Sequence, residues 1–392
     1  MDAGHPLFVY YFQQLKYHRM HIGFDAKRAF LNSSGLGNYA RTLIKSLNAY
    51  HPENHYTLFT PRTSQNAFQK VVSNLSTITV QEPESFIDKK LRARWRSYGI
   101  TPMLNEKNIN VYHGLSNELP FNIHQFKGKK VVTIHDLIFL RYPHLYPFID
   151  RKIYNKKFRN ACDTADVIIA ISNETKRDIE NYFFVPESKI RVVYQSCDEL
   201  YYRDLSDHIK GKVLTKYNLP SEYLLYVGTI EERKNLLTLV KALKQTKEIP
   251  LVVVGNKKSY FNKVMHYITE NKLQNRVHFL ENTSNDELPA IYSRAKIFIF
   301  PSFFEGFGIP IIEALTSKVP VITSMGGCFP EAGGPDSIYI DPNNEKELAD
   351  RINFLLGSEM ARTQMAEKGF EYAQKQFHPK KCVDQLIRIY QE

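Results

Sequence analysis

The stretch KIFIFPSFFEGFGIPIIEAL, residues 296–315, decides how this chain is read. Lys296–Phe300 is an apolar run of strand length. Glu305 follows it, set against Gly306 and Gly308, and Ile309–Leu315 is an apolar run of helical character. The layout predicts a strand, a tight glycine loop and a helix. Glu305 then sits on the loop at the strand's end, and Glu313 in the first turns of the helix. Backbone N–H groups of Gly306, Phe307, Gly308 and Ile309 could approach a ligand closely there, and a helix N-terminus favours anions. The plainer reading is a structural turn with two surface glutamates.

Outward from this stretch, strand-length apolar runs alternate with helix-length segments. A first strand is expected near Met20–Asp25. Others are expected at Tyr56–Phe59, Val111–His113, Lys130–Ile134, Val167–Ile171, Ile190–Val193, Tyr223–Val227, Leu251–Val254, Val277–Phe279, Ile297–Phe300 and Pro320–Thr323. Several runs are continuous rather than alternating, as expected for parallel strands buried on both faces. The alternation implies βαβ units and an α/β fold of two doubly wound, Rossmann-like domains facing across a cleft. A length of 392 residues suits two domains. The polar, strand-poor segment 198–212 marks the expected boundary. Residues 1–19 read as an extension, 20–205 as the first domain, 206–375 as the second, and 376–392 as holding an amphipathic final helix.

Composition excludes several classes. Cys162, Cys197, Cys328 and Cys382 show neither a CxxC pair nor zinc-like spacing, so a reducing compartment is expected, without a disulfide framework or metal site. No apolar run approaches the roughly 18 residues of a membrane span. Residues 6–12 lack the basic flank and cleavage site of a signal peptide. A cytoplasmic protein is expected, with the inner face of the cell membrane as a further possibility. Residues 1–200 carry 27 Lys+Arg against 18 Asp+Glu, and the remainder 25 against 23, within a net charge of +11. That basic half suits an anionic membrane, an acidic acceptor or nucleic acid. Lys89–Arg96 holds five cations and the only tryptophan, Trp95. It is a candidate for peripheral membrane contact, or else a solvated helix face with one anchoring aromatic.

Four further motifs carry chemistry. Tyr226–Asn235 ends a strand at Gly228 and delivers Arg233 and Lys234 to the start of a helix, where two cations can neutralise a diphosphate. Ser33–Tyr39 places Gly35 and Gly37 between the first strand and an apolar helix at Ala40–Leu47, a candidate phosphate cradle or simply a tight turn. His135 and Asp136 lie just past a buried strand and are expected to face the cleft. His113, before Gly114, is a candidate for the cleft rim and the acceptor or donor pocket. Ser172 is expected to cap the next helix, with facing the cleft as the alternative.

Together these motifs resemble the retaining glycosyltransferases of the two-Rossmann-domain (GT-B) type, group 1 or family 4, with a paired-glutamate motif. The resemblance covers roughly residues 20–390. It implies that Arg233 and Lys234 bind the donor diphosphate and that Glu313 hydrogen-bonds the nucleotide ribose. It implies that Glu305 touches the donor sugar and steadies an oxocarbenium-like state. Backbone amides around Phe307–Ile309 would hold sugar hydroxyls or phosphate, and His135 would orient the sugar, its carbonyl near the reacting carbon. The final helix would cross back to the first domain. The implied substrates are a nucleotide-sugar, GDP-mannose or a UDP-sugar, and a glycan or lipid-linked acceptor in surface polysaccharide biosynthesis. No cofactor is expected, and no DxD motif is present to hold a metal on the diphosphate. Alternatives are an epimerase or glycan phosphorylase on the same fold, a catalytically inactive sugar-nucleotide-binding protein, and a nucleic-acid-binding protein. No nucleic-acid-binding motif is present to support the last.

Overall fold

The structure, a computed structural model, describes residues 19–63 and 67–392; the expectation for residues 1–18 lies outside the described residues. A first sheet holds β1 (His21–Asp25), β2 (His55–Phe59), β3 (Ile78–Gln81), β4 (Val111–Gly114), β5 (Lys129–Ile134), β6 (Val167–Ala170) and β7 (Ile190–Val192), in the order β3-β2-β1-β4-β5-β6-β7. A second holds β8 (Tyr223–Val227), β9 (Leu251–Val254), β10 (Val277–Leu280), β11 (Ala295–Phe300), β12 (Val321–Ser324) and β13 (Ile338–Ile340), in the order β10-β9-β8-β11-β12-β13. Neighbouring strands pair in parallel throughout both sheets. Strand order reverses at β1/β4 and at β8/β11. In open α/β sheets a ligand crevice lies beyond the carboxyl ends of the strands at such points.

Continuous apolar runs became the inner strands. Every residue of β4, β6, β8 and β9 is buried, because helices cover both faces. The edge strands β3 and β13 were not anticipated. Each is short and only partly buried, so neither shows a continuous apolar run. The glycine-containing segment after β1 also differs from expectation. The helix spans Gly35–Tyr50, so Gly35 and Gly37 form its first turn rather than a loop before it.

The stretch expected to form a basic surface helix breaks up instead, into Phe86–Lys90, Arg92–Arg94 and a π-turn at Trp95–Gly99. Trp95 is buried in the first sheet's core, so it anchors the segment inward. Arg96 is internal as well. Its Nε donates to Asp25 Oδ2 at 2.9 Å and its Nη1 to Glu118 Oε2 at 2.6 Å. Phe86, Ile87 and Leu91 are exposed in Trp95's place.

Pro379 explains the path of the chain's end. A residue before proline is driven out of the α region, and His378 (φ −56°, ψ 132°) breaks Glu359–Phe377 from the last helix, Pro379–Gln391. Ala373 and Phe377 pack in the second sheet's core, whereas Val383, Leu386, Ile387 and Tyr390 pack with Phe24, Leu43 and Leu47 of the first. The Tyr390 hydroxyl lies 2.6 Å from His113 Nδ1, under the first sheet. Ile387→Ala is therefore expected to destabilise the first half by about 2–4 kcal/mol. Urea unfolding followed by Trp95 fluorescence would read this directly, and an unchanged midpoint would refute the packing.

Candidate active site

The loops that follow β8 and β11 meet at the second sheet's reversal point. Arg233 and Lys234 lie on a 3-10 turn, Glu232–Lys234, and Asn235 holds that turn in place from a left-handed conformation (φ 55°). The Asn235 amide donates to the carbonyls of Pro301, at 3.0 Å, and Pro342, at 2.7 Å. Glu305 sits between the two cations. Its Oε2 is 2.7 Å from Arg233 Nη1, and its Oε1 is 2.8 Å from Lys234 Nζ. Ser302 Oγ donates to Oε1 at 3.1 Å. Burial pushes this carboxyl up, but the Arg233 and Lys234 charges and hydrogen bonds outweigh it and hold the group down at about 2. Arg233 also reaches the Phe304 carbonyl at 2.7 Å and Glu231 at 2.8 Å.

The glycine loop that follows is pressed against the first half. A Cβ at Gly306 would sit 2.1 Å from the His135 carbonyl oxygen, so only glycine fits there. Ser172 Oγ caps the helix Asn173–Phe183, accepting from Thr175 N at 3.0 Å, and also donates to the Gly306 carbonyl at 2.8 Å. Phe307 presents no side chain to a ligand. It is buried and stacks on Tyr194 with ring centroids 5.4 Å apart. Gly308 (φ 119°) is the N-cap of Ile309–Thr316, a backbone position that favours glycine.

His135 meets the loop with its backbone, not its ring. Nε2 lies 2.8 Å from the Leu115 carbonyl and Nδ1 2.9 Å from the Gln195 amide nitrogen. A carbonyl only accepts and an amide nitrogen only donates, so the ring is the neutral Nε2–H tautomer. Burial lowers its pKa to about 4. The imidazole is thus a fixed brace, with neither nitrogen free for proton transfer. Asp136, a candidate for the acceptor side of the cleft rim, lies against the glycine loop, its Cβ 3.2 Å from the position of a Gly306 Cβ. Burial raises its pKa against the pull of Arg233.

His113 does not line the cleft. It is fully buried, with Nε2 2.7 Å from the Thr133 hydroxyl and Nδ1 held by Tyr390, and burial lowers its pKa to about 3. It is a satisfied core histidine that ties the last helix to β5. Gly37 is needed for packing, because a Cβ there would lie 1.9 Å from the Asn32 carbonyl; Gly35 has open space. The helix that begins with them does approach the second half, where Asn285 Nδ2 donates to Asn38 Oδ1 at 3.2 Å.

Glu313 lies inside its helix and is buried. Tyr292 donates to its Oε2 at 2.8 Å. Burial raises its carboxyl to about 7, against the hydrogen bonds of Tyr292 and Tyr201. Sequence reasoning missed Gln195 and Asn117, which position His135, the latter accepting from His135 N at 2.7 Å. It also missed Glu331, described below. Each acts across a long sequence separation, with no local motif to flag it.

Two family models match, one to each half: Glycosyltransferase Family 4 over residues 33–199 and Glycosyl transferases group 1 over residues 214–372. The chain belongs to the group 1 glycosyltransferases. This transferase is 28% identical over 292 residues to O-antigen chain mannosyltransferase B of Escherichia coli, covering 71% of this chain and 74% of the relative. It is 30% identical over 226 residues to O-antigen chain mannosyltransferase RfbU of Salmonella typhimurium, covering 57% and 60%. Among solved structures it resembles a glycosyltransferase from Rickettsia africae, with TM-score 0.75 at 20% identity over 95% of this chain and 98% of that one. Anabaena HepE in complex with UDP-glucose matches with TM-score 0.74 at 17% identity, over 95% and 99%. The transferase therefore has the GT-B architecture of two parallel sheets.

The environment of Glu313 has a pH signature. Its folded-state value of about 7 exceeds the ordinary 4.5, so between these pH values the folded chain keeps a proton that the unfolded chain has released. Stability contributed by this group is then lost as pH rises through that window, by on the order of 3 kcal/mol. Glu313→Gln should remove the loss. The variant's thermal midpoint should gain on the parent's between pH 5 and 7, and a constant difference would refute the assignment.

Proposed function

We propose that the protein transfers a hexose, of mannose or glucose type, from a nucleotide-diphosphate sugar to a glycan or lipid-linked acceptor, with retention of anomeric configuration. The observation that carries this reading is the Arg233–Glu305–Lys234 cluster at the ends of β8 and β11. The names of the relatives favour a growing O-antigen-type polysaccharide as acceptor and mannose as the sugar, and GDP-mannose is the donor proposed for it. The UDP-glucose complex of a structural neighbour keeps a UDP-sugar in view.

In this scheme the bond from the anomeric carbon to the diphosphate oxygen breaks, and Arg233 and Lys234 meet the negative charge that grows on the leaving group. Preorganised charges of this kind lower a barrier without reorganising during the reaction. The acceptor hydroxyl attacks the same face, and its proton passes to the departing phosphate oxygen. Glu305 holds both cations and touches the sugar, Glu313 takes the ribose, and backbone groups of Gly306–Ile309 and the His135 carbonyl line the sugar site. The leaving group's charge is met by side chains, so the reaction needs no added metal. Peripheral contact with an anionic membrane fits exposed Phe86, Ile87 and Leu91 beside Lys89, Lys90, Arg92 and Arg94. Among the described residues no helix is long and apolar enough to cross a membrane.

A panel of GDP-, UDP- and ADP-sugars assayed in EDTA tests the reading. One donor should turn over, and the Arg233→Ala/Lys234→Ala variant should abolish its turnover. Lys234→Ala alone should weaken donor binding by about ten- to hundredfold, since hydrogen bonds to charged groups contribute ~1.5–3 kcal/mol. Loss of turnover in EDTA would overturn metal independence. Glu305→Gln should cost about 10²-fold in kcat/KM, and a change within about twofold would remove Glu305 from the transition-state shell.

A further inference from the structure

Glu331 is a carboxylate of the second half whose hydrogen-bond partners lie in the first. It accepts from Asn173 N at 2.7 Å, Asn173 Nδ2 at 2.8 Å, Glu174 N at 3.1 Å and the Tyr194 hydroxyl at 3.2 Å. The two backbone donors open the helix Asn173–Phe183, an end that favours a negative charge. The glutamate already in that turn does not compete, because Glu174 turns its own carboxylate to Arg141 and Arg177.

The grip reaches the reaction centre by two short routes. In the first half, the same helical turn carries Ser172 and Thr175, whose hydroxyls point at the Gly306 carbonyl, at 2.8 and 3.4 Å. In the second half, Glu331 lies on the short helix Phe329–Gly333, which begins at Cys328. Cys328 Sγ is 2.9 Å from the Phe307 carbonyl and 3.2 Å from that of Glu305. Tyr194 joins both routes, since it donates to Glu331 and stacks on Phe307. The stack of Tyr142 on Phe304, with centroids 3.6 Å apart, closes the same seam beside Arg233.

We propose that Glu331 is the clasp that holds the two halves closed over the donor loop, and thereby a positioning residue for glycosyl transfer. All four of its hydrogen bonds cross the seam and are short-ranged. Opening the cleft breaks them together, and closing remakes them together. The carboxylate thus senses the relative placement of the halves, and its connection through Cys328 sets the loop that carries Glu305 against His135. Only the kinetic consequence rests on the transferase reading.

The test pairs a distance measurement with kinetics. The native cysteines are buried, so spin labels can be placed on cysteines introduced at exposed Ile149 in the first half and Met360 in the second. Glu331→Gln keeps the shape but turns a donor toward donors. It should add a second population to the distance distribution, and saturating GDP or UDP should shrink that population. With a donor that turns over, kcat/KM should fall about ten- to hundredfold while the circular dichroism spectrum is unchanged. Tyr194→Phe removes one donor only and should give a smaller change of the same kind; it also serves if Glu331→Gln does not fold. A distribution identical to the parent's overturns the clasp, whatever the kinetics. If no donor turns over in any variant, the transferase reading fails and the distance measurement alone decides the clasp.

Discussion

One buried carboxylate shared by two cations organises this molecule's working end. Glu305 brings Arg233 and Lys234 together across the loops after β8 and β11. Removing charges from water is costly, and a buried ion whose partner is deleted typically costs 3–5 kcal/mol. The three groups therefore stand or fall as a unit. They carry one net positive charge, and the fold has stripped both cations of much of their water. Under the proposed function, part of the desolvation needed to bind a donor diphosphate there would have been met in folding.

The positions of these groups follow from topology. Each sheet reverses its order beside its first strand, and the loops at the second sheet's reversal point bear the cations and the carboxylate. The first sheet supplies the opposing wall from the end of β5, at His135 and Asp136. Its core depends on residues from the far end of the chain. Tyr390 and its neighbours complete a face of β1, β4 and β5 that would otherwise expose apolar side chains. Pro379 makes this possible by ending one helix and starting another in a new direction.

Much of this was legible in the residues. Continuous apolar runs identified the inner strands because burial on both faces leaves no room for polar alternation. The glycine and glutamate spacing located the loop between β11 and the helix Ile309–Thr316 because a strand, a tight turn and a helix each leave a local trace. Edge strands Ile78–Gln81 and Ile338–Ile340 leave a weaker one, being half exposed. His113 was misplaced for a different reason. A histidine near a strand's end reads as a cleft residue, and its true partner, Tyr390, is far away in sequence. Trp95 fits one of the two readings of its run, the anchoring aromatic, but the break-up of the expected helix around it was not foreseen. Glu331 left no trace at all, because a carboxylate that caps a helix of the other half looks like any surface glutamate.

Gly306 shows how the two halves constrain each other. Glycines in such loops are usually explained by backbone freedom, and Gly308, at φ 119°, fits that account. Gly306 does not, because it has no positive φ among the residues where one is found. What excludes a side chain there is the His135 carbonyl of the opposite half, 2.1 Å from where a Cβ would stand. The constraint exists only while the halves are together. A side chain at this position would leave each half able to fold and would act against their closure. The glycine next to the central carboxylate is thus a residue of the interface between halves, whereas Glu305 itself is held within its own half by Arg233, Lys234 and Ser302.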